Sequence, residues 1–373
     1  MPERRSKARP AARGMRRPAP SHATTTVGQP VEAAAFVLPK VPPIPAGWRI
    51  IGGREFTEHL LSVRFLLLIA LMGLVGVLVI YTLSSNIREL AGSLSDQLTY
   101  YTGEPFPVFL FLFSQPPVSG DTTLAAIPSF AQIVIQYIGP LLGLAFGFDA
   151  ISNERTEGTL PRLVSQPIHR DDVINGKFVA SLAIVALILG AIMLILAGIG
   201  IYRLGVVPTG DVALRLLIWW GFLVLYVAFW LALATLFSVI FRRAATALLA
   251  VLAVWLVVTF FGGQIASILA NFLAPVGADG TTAARVANVN MQLSLLRLFP
   301  SGQFGEMTAV MLNPSVNALN ASVTDPTGRA IPTLLPVGQS LLLIWPQVVT
   351  LLALTAACFA GAYVLFMRQE VRA

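Results

Sequence analysis

The residues of this chain best suited to chemistry lie between Asp149 and Lys177, and their types argue for grip rather than catalysis. Asp149, Glu154, Arg155 and Glu157 fall within nine residues, followed by Gly158, Thr159 and Leu160, then Pro167, then Gly176-Lys177. Charges of both signs at this spacing can make charge-assisted hydrogen bonds with a facing surface. Ser152, Asn153 and Glu154 put acceptors and negative charge where a helix N-terminus has orphan N–H groups and a positive dipole end. Gly158-Thr159 offers a helix break and a new cap. The segment 149–177 therefore reads as a loop with a short transverse helix that presents Glu154, Arg155 and Glu157 to a partner. The plainer alternative is a turn whose charges are merely solvated.

Other candidates carry less. Gln132 and Gln136 are one helical turn apart, with Tyr137 beside them. They could line a path, although interhelical hydrogen bonding is the simpler reading. His22, His59 and His169 are far apart, so no histidine metal site is expected, and the single cysteine, Cys358, excludes an intrachain disulfide or a Cys-based metal site. No G-x-x-x-x-G-K-[ST] occurs; Asn175-Gly176-Lys177-Phe178 lacks the upstream glycine and the hydroxyl of a phosphate cradle. H-E-x-x-H and G-x-S-x-G are missing too. No catalytic residue, cofactor site or metal site is expected.

These residues are positioned by membrane spans. The 373-residue chain is 56% hydrophobic and 12% charged, against roughly 45–50% and about 25% in soluble domains. An all-α membrane protein follows. Segments of about 20 apolar residues fall at 65–83, 127–148, 178–202, 216–240, 244–269 and 340–367. Their interiors hold no carboxylates, which argues against an ion-coupled pump. Eleven of the 25 Lys and Arg precede the first span. Counting near span ends gives nineteen on one side and six on the other, which places both termini in the cytoplasm. The net charge of +7 thus reads as attraction to anionic lipid rather than to nucleic acid.

Residues 1–47 read as a disordered cytoplasmic tail. In 48–64, Trp48, Ile51, Phe56, Leu60 and Val63 recur near helical spacing, predicting an amphipathic interfacial helix that Gly52-Gly53 threatens to interrupt. Residues 84–126 and 271–339 read as extracytoplasmic loops, the second with a helix over 284–299. Together they would form a cap or gate.

The order Asp149, Glu154-Arg155, Gly158-Thr159-Leu160, Pro167, Gly176-Lys177 resembles the first cytoplasmic loop of ABC type-2 exporter permeases. Arg54-Glu55-Phe56 with Arg64-Phe65 looks like that family's elbow helix, and Met367-Arg368-Gln369-Glu370 is weakly similar to its tail. The topological likeness covers 48–373. It implies six spans with an elbow helix, a cytoplasmic coupling helix and a helical extracytoplasmic region. It also implies a separate ATP-binding-cassette ATPase subunit that binds ATP and Mg, and a second permease subunit in a homo- or heterodimer. Asp149, Glu154, Arg155, Glu157, Gly158, Thr159 and Leu160 would face the ATPase, in a bacterial or archaeal plasma membrane. Two other classes stay open: a scaffold or enzyme acting through the outer loops, and a secondary transporter. Against them, Glu89, Asp96, Glu104, Asp121, Asp279, Glu306 and Asp325 are scattered, and no inverted repeat is evident.

Overall fold

The computed structural model describes residues 47–102, 108–114, 129–156, 158, 169–205, 207–277, 280–314, 319 and 335–369. Among the described residues there is no strand. Six helices are long and apolar enough to cross a membrane: Val63–Ser84, Phe130–Thr156, Arg170–Leu204, Gly210–Ile240, Ala244–Leu273 and Val337–Arg368. These are spans 1 to 6. The expected tail lies outside the described residues, apart from Gly47.

Helix α1 (Gly47–Leu60) leads through a turn into α2 (Val63–Thr102), which begins as span 1. Span 2 combines α3 (Phe130–Ile133), a π-helical turn (Val134–Ile138), α4 (Gly139–Gly147) and the short α5 (Ser152–Thr156). Spans 3 and 4 are α6 (Arg170–Leu204) and α7 (Gly210–Ile240). Span 5 is α8 (Ala244–Leu256), a second π turn (Val257–Phe261) and α9 (Gly262–Leu273). The amphipathic α10 (Thr282–Leu296) and the buried α11 (Pro300–Leu312) precede α12 (Val337–Arg368), which is span 6.

Span 4 is the axis. Its apolar stretch is 67% buried, against 11% for span 5, which turns its side chains outward. Span 2 reaches the axis along Gly139, Gly143 and Gly147, four residues apart and so on one helix face. A Cβ at Gly143 would sit 2.6 Å from the Trp230 Cβ, and one at Gly147 would sit 2.7 Å from the Ala234 Cβ. This is small-residue packing of the kind that joins membrane helices when apolar burial gives no preference for helix over lipid.

Several boundaries differ from the sequence expectation. The helix of span 1 continues to Thr102 where a loop was expected from residue 84. No proline interrupts 84–104, and Pro105 and Pro107 follow, which permits the extension. Within the expected outer loop, Phe109, Leu110, Phe111, Leu112 and Phe113 are buried. The 3₁₀ turn Val108–Leu112 and Phe113 after it form a plug, and the Phe113 ring lies 5.9 Å from Trp219. A run this short cannot span a bilayer, so it inserts between the spans instead.

The region between spans 5 and 6 is also more than a loop. Helix α10 runs back along α9, with Asn288 Nδ2 donating to Asn271 Oδ1 at 3.0 Å and to Ala274 O at 2.8 Å. By Phe299 the chain has returned to Gly262, the start of α9. Helix α11 then turns outward, and Gly302 is needed at the corner because a Cβ there would meet Leu296 O at 2.2 Å. The expected helix over 284–299 is thus one arm of a hairpin. Its second arm, α11, was hidden in the sequence by Pro300, which stands at the first turn and starts the helix rather than breaking it.

Candidate functional site

Sequence chemistry converges at one end of the bundle, here called basal, where α1, α5 and the ends of spans 4 and 6 meet. Within span 2, α4 ends at Gly147, and Phe148-Asp149 follow it. Arg64, opening span 1, donates to Asp149 Oδ2 at 2.5 Å and lies over the Phe148 ring. Helix α5 follows after a turn over 148–151, and the N–H groups at its start need an acceptor from outside the helix. Ser238, buried in the last turn of span 4, supplies the acceptor: Ile151 N and Ser152 N donate to its Oγ at 2.9 and 3.0 Å. The cap comes from a different span, so α5 is stapled to span 4 as it forms.

Glu154 and Arg155 both turn inward. Glu154 Oε1 lies 2.9 Å from the Lys177 ammonium, which also donates to Glu55 of α1. Lys177 is only 7% exposed, and one buried cation between two carboxylates joins α1, α5 and span 3. Gly176 explains the neighbouring glycine. A Cβ there would stand 2.9 Å from Trp48 O, so only glycine lets α1 cross span 3 this closely. Gly52-Gly53 does not interrupt α1, and Gly52 faces the Gly176 carbonyl at the same crossing.

Arg155 works on the other side of α5. Its Nη1 donates to Val239 O at 3.0 Å and its Nη2 to Gln369 Oε1. Gln369 Nε2 reaches the same Val239 carbonyl at 3.0 Å, and Arg170 donates to Gln369 O at 3.2 Å. Two arginines and an amide thereby satisfy carbonyls at the C-terminal ends of spans 4 and 6, where cations are favoured.

His59 of α1 lies beneath this network, edge-on to Phe146, with Nε2 3.9 Å from Glu55 Oε2. Burial holds its imidazole below the ordinary pKa of 6.5. Lys177 and Arg64 act in the same direction, while Glu55 and Asp149 oppose it. His59 is therefore neutral near pH 7, leaving the ammonium of Lys177 as the cation both carboxylates face.

What α5 leaves outward is short and polar, Asn153 and Thr156; beyond it Gly158 is exposed with φ +70°, in the left-handed region that glycine favours. Glu157, Thr159 and Leu160 lie outside the described residues.

The three other candidate residues separate. Gln132 belongs to a capping box: its side chain accepts from Ser129 N at 3.1 Å while Ser129 Oγ accepts from Gln132 N at 3.2 Å. Gln136 and Tyr137 stay exposed. The Tyr137 ring meets Trp255 edge-on at 6.5 Å, and Trp255 Nε1 donates to Gln136 O at 3.0 Å. Gln136 also lines an open-sided cavity of about 230 Å³ with Ile135, Val258, Thr259, Ser301 and Gly302. Both π turns border it, and such turns recur at functional sites. Among the described residues, no three His, Cys, Asp or Glu side chains gather to hold a metal.

Sequence reasoning passed over Ser238 and the glycine ladder of span 2, and it placed Glu55 in the elbow helix without its pairing to Lys177. The ladder was readable as a four-residue repeat. Neither the role of Ser238 nor the partner of Glu55 had a local signal, because the contacts are distant in sequence.

A model of the family described as ABC-2 family transporter protein matches residues 49–371. Comparison with curated proteins finds no match.

Proposed function

Since the chain belongs to the ABC-2 family of transporter proteins and is a multi-pass membrane component of an ABC transporter, we propose that α5 is the element on which its ATPase partner acts. In this reading the basal end is cytoplasmic, as the nineteen-to-six charge bias favours. ATP and Mg bind in the separate ATPase subunit, and this chain contributes no catalytic residue. Closure of two ATPase subunits displaces α5, and the displacement exports a substrate through a dimer of permease subunits.

The observation that carries the reading is the attachment of α5. Ser238, Lys177 and Gln369 tie it to spans 4, 3 and 6 and, through Glu55, to α1. Asn153 and Thr156 of α5 and Gly158 after it are exposed, and the proposal assigns Glu157, Thr159 and Leu160 to the same ATPase contact. Glu154 and Arg155 serve as internal struts that pass the load on. The cavity at Gln136 is lined on one side by Val258 and Thr259 of the outward-turned span 5, with Tyr137 adjacent in sequence, so a second subunit seated there would close it into a path. Lipid covers the rest of the apolar perimeter.

A photo-crosslinker at Asn153, in the complex purified through a tag on this chain, tests the reading. The expected product is a covalent adduct with an ABC ATPase subunit, with none from a probe at Tyr202, at the far end of span 3. No adduct from Asn153 would reject α5 as the contact.

A further inference from the structure

The hairpin α10–α11 is held from two sides, and the two sides differ. Toward span 4, the Phe304 ring stacks on Tyr226 at 4.7 Å and 9°, and Trp219 Nε1 donates to Thr308 Oγ1 at 3.0 Å. Toward span 6 the polar tie is Gln347 Nε2 donating to Glu306 Oε2 at 2.8 Å. Glu306 also accepts from Arg297 Nε at 2.8 and 3.0 Å, and Gln303 Nε2 donates to Arg297 O at 2.8 Å.

This second side is incompletely paired. Gln303 and Gln347 are 2% and 7% exposed, yet no protein donor reaches either side-chain oxygen. Turning the Gln347 amide over would set its oxygen against the Glu306 carboxylate, so the arrangement has no better rotamer of this kind. A buried acceptor without a donor disfavours the closed state, and parting the surfaces would let water satisfy both oxygens.

Span 6 is built to transmit motion to this point. Pro346 lies inside α12 immediately before Gln347, and an internal proline removes a backbone hydrogen bond and weakens the helix locally. Above it, Arg215 of span 4, 1% exposed and paired with Asp211 Oδ2 at 2.9 Å, donates to Ser340 Oγ at 3.2 Å and to Leu335 O. Below it, the helix ends at Gln369 in the grip of Arg155 of α5. The upper segment is fixed to span 4 by Arg215, and the lower segment ends on both α5, through Arg155, and the last turn of span 4, through Gln369 Nε2 and Val239 O. Gln347 is the first residue of the lower one.

We propose that Glu306 and Gln347 form a latch between the hairpin and span 6, and that displacement of α5 releases it by turning the lower segment about Pro346. The release step rests on the reading of α5 given above, whereas the latch itself does not.

The test uses Val310→Cys in a Cys358→Ser chain. Val310 is buried one turn beyond Glu306 on α11. Its rate of labelling by a maleimide is read in the complex purified through a tag on this chain. Gln347→Glu, which sets two carboxylates together, is expected to raise the rate without ATP by about tenfold or more. The exchange Glu306→Gln with Gln347→Glu restores a donor–acceptor pair and is expected to return it toward the parent value. ATP is expected to accelerate labelling of the parent but to add little to Gln347→Glu. Equal rates for the parent and Gln347→Glu would overturn the latch. So would failure of the exchange to slow labelling, which marks a merely misfolded hairpin. A parent that hydrolyses ATP without faster labelling would overturn the release through span 6. A parent complex lacking any ATPase would instead reject the function proposed for α5.

Discussion

The basal junction around Lys177 and the hairpin junction around Glu306 are both buried polar contacts between helices, and they are balanced in opposite ways. At the basal end one cation serves two carboxylates, Ser238 accepts from two backbone N–H groups, and the carbonyls ending spans 4 and 6 are taken up by Arg155, Gln369 and Arg170. At the hairpin, Glu306 is well supplied with donors while the Gln303 and Gln347 oxygens have none from the protein. A junction whose groups are satisfied moves as a unit, because parting it exposes every one of them. A junction with unmet acceptors has less to lose. The contrast assigns stiffness to the end that would receive force and compliance to the end that would respond.

Substitutions can break this contrast in order of size. Lys177→Met leaves Glu55 and Glu154 facing each other in a largely buried site. The expected loss is about 3 kcal/mol, read as a lowered unfolding midpoint in detergent. A loss no greater than that of an exposed lysine would erase the distinction between the junctions. Gly143→Leu drives a side chain into Trp230 and is expected to lose about 2 kcal/mol by overpacking, visible in the same assay and as weakened contact between spans 2 and 4. Ser238→Ala removes the shared acceptor of Ile151 N and Ser152 N, with an expected loss of about 1–2 kcal/mol. Hydrogen exchange should then quicken at α5 before it quickens elsewhere.

Gln347→Leu sharpens the comparison from the other side. It deletes the donor to Glu306 together with an unpaired oxygen, two effects of opposite sign, so stability is expected to change by less than about 1 kcal/mol. A loss as large as that of Lys177→Met would make the two junctions equivalent.

Acid gives the mildest probe. The folded His59 pKa lies below the unfolded value near 6.5, so between them the unfolded chain binds more protons and stability rises with pH. The contribution is complete above 6.5 and declines as pH falls through that value toward the folded pKa. Glu55, Asp149, Lys177 and Arg64 surround the ring. The check is His59→Phe, whose unfolding midpoint should vary less between pH 7 and pH 5.5 than that of the unaltered chain.

Much of this architecture could be read from the sequence, and the exceptions share a cause. Spans announce themselves because lipid demands long apolar runs. The 149–177 segment stood out because its charges interrupt such runs. What escaped were contacts decided by close approach between distant residues. Lys177 could be singled out, yet nothing local tied it to Glu55, 122 positions away. Phe109–Phe113 and α11 were assigned to loops because each is too short to span. Both are nonetheless buried, since longer spans leave space that short apolar elements fill. Glu154 and Arg155 carried the expected charges, but a pattern of charge does not tell which side of a helix meets a partner.

The most direct test of the account is the affinity between this chain in lipid nanodiscs and its ABC ATPase partner, for unaltered α5 and for Thr156→Arg. Thr156 is on the outer side of α5, and its hydroxyl bonds only within that helix. The expected result is binding weakened by about tenfold, equivalent to about 1.4 kcal/mol, with an unchanged unfolding midpoint. Unchanged affinity would contradict α5 as the surface on which the ATPase acts.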